Sequence, residues 1–212
     1  NGAIGDETGR LSYRTAIGYF NIVKDNRKIA ITGGIGVGKS YVCSLLDVRG
    51  IHVYDCDAAA KNLIAQNKSL QAELNLLLGK DVFVNGIFNK HVLAQFLLES
   101  DDNRIAVNSI IHPAVANDFI SSGYNWLESA ILFDSGFNKR IALDKVICVT
   151  APDEVRITRI MLRDNISRGR ALEWINKQMP QKEILSMSDF EIVNDGIANL
   201  EEQIDRILSI IK

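Results

Sequence analysis

Apolar and polar positions follow two different periods along this chain, and the places where the period changes mark the elements. Residues 28–32, Lys-Ile-Ala-Ile-Thr, form a short apolar run stopped by Gly33-Gly34, which predicts a buried strand. Residues 38–48 place Val42, Leu45 and Leu46 on one face before Gly50, which predicts a helix. A second strand follows at 51–54, then helices at 58–66 and 70–78. Asn85-Gly86 marks a turn within 81–88. Helical spacing returns at 90–98, 102–111 and 113–121, and buried strands are expected at 126–133 and 145–150. Pro152 suits the start of a helix running to about Asp164, since its missing N–H costs nothing there. A last short strand spans 190–193, and Ile197, Leu200, Ile204, Ile207, Leu208 and Ile211 line one face of a C-terminal helix.

Strands alternating with helices predict an α/β fold, a mostly parallel sheet covered on both faces. The helical stretch at about 58–121 is too long for one crossover and predicts a subdomain over the sheet edge. Residues 1–27 differ from the rest. Gly2, Gly5, Gly9 and Gly18 interrupt them, no period is sustained, and only Tyr19, Phe20, Ile22 and Val23 suggest packing. They read as an atypical extension, without the basic start and apolar stretch of a signal peptide. The missing initiator Met suggests a fragment or a processed product.

Composition narrows the class. The 212 residues are 47% hydrophobic and 24% charged, so a large core is expected and whole-chain disorder is not. A formal charge of −2 lacks the basic excess of a general nucleic-acid binder. No apolar run approaches the roughly 20 residues of a membrane helix. Cys43, Cys56 and Cys148 are odd in number and far apart, which points to a reducing compartment, hence the cytoplasm. His52, His91 and His112 share no ligand spacing, so a structural zinc site is not expected.

The chemistry begins at residues 33–40, Gly-Gly-Ile-Gly-Val-Gly-Lys-Ser, which match G-x-x-x-x-G-K-[ST] between a predicted strand and a predicted helix. Glycines let successive N–H groups curl around phosphate oxygens, and the helix start adds partial positive charge. Lys39 would reach the β- and γ-phosphates, and the Ser40 hydroxyl could ligate Mg²⁺. Asp55-Cys56-Asp57 follows the second strand at the same sheet edge. One carboxylate could accept a substrate hydroxyl proton and the other could hold Mg²⁺ or its waters; equally, Asp57 suits a helix N-cap. Arg156, Arg159, Arg163, Arg168 and Arg170 fall within fifteen residues, which suggests a cationic lid.

In this order the pieces resemble the dephospho-CoA kinase family of nucleoside-monophosphate-kinase-like enzymes. The resemblance spans residues 28–212. It is carried by the loop, by Asp55-Cys56-Asp57, Ile111-His112-Pro113, Leu132-Phe133-Asp134, Gln178-Met179-Pro180 and Asn194-Asp195-Gly196. It implies a P-loop NTPase fold with three α/β/α layers, a helical CoA-binding subdomain at about 58–121 and a lid at about 159–182. The implied reaction moves the ATP γ-phosphoryl group to the ribose 3′-hydroxyl of dephospho-CoA, with ATP and Mg²⁺ required. The resemblance makes Asp57 the general base and Lys39 and Arg159 the stabilisers of the transferring group. Gly34, Ile35, Gly36, Val37, Gly38, Lys39, Ser40, Tyr41, Arg163 and Asn194 would hold ATP, Ser40 would serve the metal, and Asp57 and His112 would meet the acceptor.

The sequence departs from the family pattern at Val37, Tyr41, Asn89-Lys90 and Trp174. A kinase for another nucleotide or a sugar acid, and a nucleotide-dependent regulator without turnover, are the alternative readings. The oligomeric state, monomer or weak homo-oligomer, is left open by the sequence.

Overall fold

The computed structural model describes residues 26–79, 82–84 and 87–211. Residues 1–25, the larger part of the expected extension, and the expected Asn85-Gly86 turn lie outside them.

A five-stranded sheet organises the chain. It comprises β1 (Ile29–Thr32), β2 (Val53–Asp55), β5 (Trp126–Glu128), β6 (Lys145–Thr150) and β7 (Phe190–Val193), in the order β2-β5-β1-β6-β7. Every pairing in it is parallel, with Ile29 opposite both Trp126 and Lys145. A parallel sheet must be covered on both sides, and side chains alternate accordingly. Ile29, Ile31, Ile147 and Val149 pack with Val42 and Leu46 of α1 (Lys39–Asp47) and with Ile204 and Ile207 of α9 (Leu200–Ile211). Ala30, Leu127 and Val146 face the other way, against the helices inserted between β2 and β5.

That insert comprises α2 (Cys56–Gln66), α3 (Lys68–Leu78), the hairpin of β3 (Phe83–Val84) and β4 (Ile87–Phe88), α4 (Lys90–Glu99) and α5 (Asp101–Ser122). Its apolar faces form one continuous core with the sheet, through Leu74, Val107, Val115 and Phe119. Phe119 is fully buried and meets Tyr54 edge-on at 5.3 Å. Burying a side chain of this size contributes about 1.5–3 kcal/mol.

Three expectations change. First, the helices expected at 102–111 and 113–121 are one helix, α5, with Pro113 inside it. A Pro in a helix interior costs roughly 3 kcal/mol, but Ile111, His112, Val115 and Phe119 bury the same face on either side of it. Second, the strand expected at 126–133 ends at Glu128. Leu132 is fully buried, yet it lies in a turn and packs into the core that the sheet shares with the helical insert. An apolar run alone cannot separate these outcomes. Third, Ile51 and His52 precede β2, and Ile197 is exposed ahead of α9.

After β6 come α6 (Asp153–Asp164), α7 (Arg168–Asn176) and the short α8 (Gln181–Ser186). Ile157, Ile160 and Ala171 make a small separate core with Ile35 and Trp174. Trp174, one of the departures from the family pattern, therefore anchors α7 beside the loop. Among the described residues, no helix is long and apolar enough to cross a membrane.

Candidate active site

The loop between β1 and α1 is shaped by close approaches from three other elements. Gly33 has φ 139°, and a Cβ there would stand 2.3 Å from the Val149 carbonyl oxygen of β6. Gly38 has φ 90°, and a Cβ there would meet the Asn194 amide nitrogen at 2.2 Å. A side chain at Gly33 would force backbone apart, and one at Gly38 would displace the Asn194 amide and strain the left-handed backbone. Val37 is fully buried in the core beneath α1, so its side chain never faces the loop's interior. Its carbonyl is the point of contact, accepting from Asn194 Nδ2 at 2.8 Å and from Arg159 Nη1 at 3.2 Å.

Lys39 opens α1 and folds back over the loop. Its Nζ donates to the Gly33 carbonyl at 2.9 Å and stands 3.5 Å from Glu128 Oε1. Glu128 ends β5, opposite Ile31 of β1. Burial pushes its proton affinity above the ordinary carboxylate range, Lys39 opposes that, and Asp57 and Asp55 add to it. Cys43, on the next turn of α1, is raised to about 12 by burial and then by Glu128, so it is an inert thiol.

The acidic pair divides its tasks. Asp55 is the N-cap of α2, accepting the Ala58 N–H at 2.8 Å. The capping role that the sequence offered to Asp57 therefore belongs to Asp55. Asp57 sits in the first turn, exposed and not used as the cap.

The arginines divide as well. Arg156 is buried and braces the loop, its Nε donating to the Ile35 carbonyl at 3.0 Å. Arg159 points at the same place: Nη1 donates to the Asn194 carbonyl at 3.0 Å and Nη2 to its side-chain oxygen at 3.2 Å. Arg163 pairs with Asp164 at 2.7 Å and is largely exposed. Arg168 and Arg170 are turned to surface partners, Glu154 and Glu173. The five expected cations thus reduce to two, Arg159 and Arg163, that face the cavity beside the loop.

That cavity, about 820 Å³, is lined by Gly36, Gly38, Lys39, Ser40, Asp55, Asp57, Lys61, Asn62, Glu128, Arg159, Arg163 and Gln178 among others. It opens at the carboxyl ends of β1, β2 and β5, where ligands enter open α/β sheets. A second cavity of about 760 Å³ adjoins it through Gly38 and Arg159, and is lined by Tyr41, Asn194, Gly196 and Leu200. His112 lines neither. It is buried edge-on to Phe137 at 5.7 Å, its Nδ1 has no hydrogen-bond partner among the described residues, and burial followed by Arg140 lowers its proton affinity.

Glu128 and Gln178 join the site without having been singled out as site residues by the sequence. Glu128 was hidden in a run read as core strand; a carboxylate ending a parallel strand was the available signal. Gln178 lies far along the chain, and only its place beside Met179-Pro180 hinted at a role.

A phosphate-cradling loop at the central strand, cations on both sides of it and carboxylates across one cavity define a P-loop kinase for a small molecule. The family model for dephospho-CoA kinase matches residues 27–200. A dephospho-CoA kinase of Bacteroides fragilis is 40% identical over 189 residues, covering 86% of this chain and 91% of its own. One of Porphyromonas gingivalis is 37% identical, with 87% and 94% covered. The crystal structure of TT1252 from Thermus thermophilus superposes with a TM-score of 0.75 at 30% identity, covering 88% of this chain and 98% of that one. The chain belongs to the dephospho-CoA kinase family.

Proposed function

We propose that this chain transfers the γ-phosphoryl group of ATP to the ribose 3′-hydroxyl of dephospho-CoA, giving CoA and ADP. The observation that carries this is one cavity holding Lys39, Ser40, Asp57 and Arg159 together, in a chain of this family.

The loop N–H groups and the start of α1 hold the β-phosphate, where backbone dipoles suit an anion. Lys39 and Arg159 neutralise charge on the three equatorial oxygens of the migrating group. Asp57, spared from capping by Asp55, accepts the proton of the 3′-hydroxyl as its oxygen bonds to phosphorus and the bond to the ADP oxygen breaks. Arg163, on α6, closes over the γ-phosphate as part of a lid at about 159–182, which keeps water out. The second cavity, with Tyr41 and Asn194, takes the adenine side of ATP. The insert at about 58–121 receives the acceptor. His112 supports that insert from its core side.

The oxygen donors at the loop suit a hard cation, and Ser40 would hold Mg²⁺ bound with ATP, where it neutralises phosphate charge. We place the reaction in the cytoplasm, since Cys43, Cys56 and Cys148 are free thiols.

The test is a coupled assay for ADP with dephospho-CoA, AMP and gluconate as acceptors. Turnover confined to dephospho-CoA, and lost in Asp57→Asn and Lys39→Ala with the fold intact, supports the reading. Turnover of AMP or gluconate instead would overturn it.

A further inference from the structure

We propose that Glu128 is a positioning residue for phosphoryl transfer, fixing the direction of the Lys39 ammonium over the phosphate loop. This deepens the kinase reading and rests on it.

The backbone around Glu128 is pinned to the strand that feeds the loop. Ser129 N–H donates to the Ile31 carbonyl at 3.0 Å, and the Thr32 hydroxyl donates to the Ser129 carbonyl at 2.8 Å. The backbone that carries the carboxylate is therefore tied to β1 before any ligand arrives. Lys39 is not so constrained by its own chain, because a lysine stem is long and has many rotamers. The Gly33 carbonyl at 2.9 Å and the Gly34 carbonyl at 3.5 Å hold its ammonium from the loop side, and Glu128 at 3.5 Å holds it from across the cavity. Contacts from the loop and from the end of β5 together define a direction; contacts from the loop alone do not.

The pair is also costly enough to need a reason. The side chains are 11% and 14% exposed, and taking a carboxylate out of water costs several kcal/mol. Burial raises the proton affinity of the same carboxylate, and Asp57 and Asp55 add to that by repulsion. Incoming phosphate would repel it too, and would compete with it for Lys39. Glu128 thus opposes nucleotide binding in the ground state. Its return is an ammonium already aimed when charge develops on the transferring group, which is where preorganisation counts.

This predicts opposite effects on binding and turnover. Glu128→Gln keeps the shape and one acceptor oxygen and removes the charge. Calorimetric titration with MgADP should show binding tightened about threefold or more, while kcat with dephospho-CoA falls about tenfold or more, the pattern of relieved ground-state strain. The melting temperature should not fall. A kcat within about twofold of the parent, or weaker ADP binding accompanied by a lower melting temperature, overturns the proposal, since packing alone explains the latter. A cycle with Lys39→Met decides the mechanism: Glu128→Gln should tighten MgADP binding clearly less in that background, because only direct repulsion of phosphate is left to relieve, and an equal gain in both backgrounds overturns it. The cycle needs no acceptor. If dephospho-CoA is not phosphorylated but the cycle couples Glu128 to Lys39, the substrate assignment fails and the positioning role stands.

Discussion

The side-chain oxygen of Gln178 accepts the backbone N–H of Ile35 at 2.7 Å, joining the segment after α7 to the phosphate loop. The next residue extends the tie, since Met179 N–H donates to Asp134 Oδ2 at 3.1 Å. Ile35 is thereby held on both sides, with Arg156 on its carbonyl. We expect Gln178→Glu to put an uncompensated carboxylate where phosphate must enter, and to weaken MgADP binding by about tenfold or more, equivalent to about 1.4 kcal/mol. Gln178→Ala, which removes the tie without adding charge, should weaken it less. Calorimetry on the two variants checks the ranking; equal affinities would mean that Gln178 does not face the nucleotide.

Arg159 reads Asn194 with both arms of its guanidinium and touches the loop at Val37 as well. A lysine has one cationic centre and cannot reproduce that fork. Arg159→Lys should therefore lower kcat by about two orders of magnitude, the scale of losing one aimed donor to a transition state. Steady-state kinetics at saturating ATP and dephospho-CoA measure it. A loss below about threefold would move Arg159 out of the chemical step.

These two sites also mark what the sequence could reveal. Lys39, Ser40 and Asp57 were legible because a short spacing between a strand and a helix fixes where they point. Arg159 was legible as one of several cations, but not as the one that grips Asn194, because choosing among Arg156, Arg159 and Arg163 depends on how α6 rotates against the loop. Glu128 and Gln178 were silent for a related reason. Each acts through a partner 89 or 143 positions away, Lys39 and Ile35 respectively, and no local period encodes that. The sheet was readable from its β-branched runs. The end of β5 was not, because the burial of Leu132 is the same for a strand as for a turn beneath helices.

Pro113 provides a test of the packing argument. It sits in mid-helix between His112 and Val115, both buried, and its ring leaves the backbone of the preceding turn without a donor. If tertiary packing alone carries α5 through this position, restoring the N–H should stabilise the protein. Pro113→Ala is expected to gain on the order of 1 kcal/mol, raising the melting temperature by about 2–4 °C for a chain of this size. Calorimetric melting checks this, and a lowered melting temperature would mean that the ring's own contacts outweigh the missing hydrogen bond.

His112 should impose a pH dependence of its own on stability. Its ring is buried, its Nδ1 has no partner among the described residues, and burial holds its proton affinity below the ordinary histidine value of 6.5. Above that value the ring is neutral in both folded and unfolded chains, and protonation adds no cost to folding. As pH falls through it, the unfolded chain takes up a proton that the folded ring resists, so stability is lost from there down to the lowered native value. His112→Phe keeps the edge contact with Phe137 and removes the titration. Urea unfolding at pH 7.5 and pH 5.5 should show a smaller loss of stability in the variant than in the parent. Every other titratable group, the raised Glu128 included, is the same in both proteins and cancels in the difference. Identical losses would mean that the ring is protonated within the fold, and that a neighbouring acceptor reaches it.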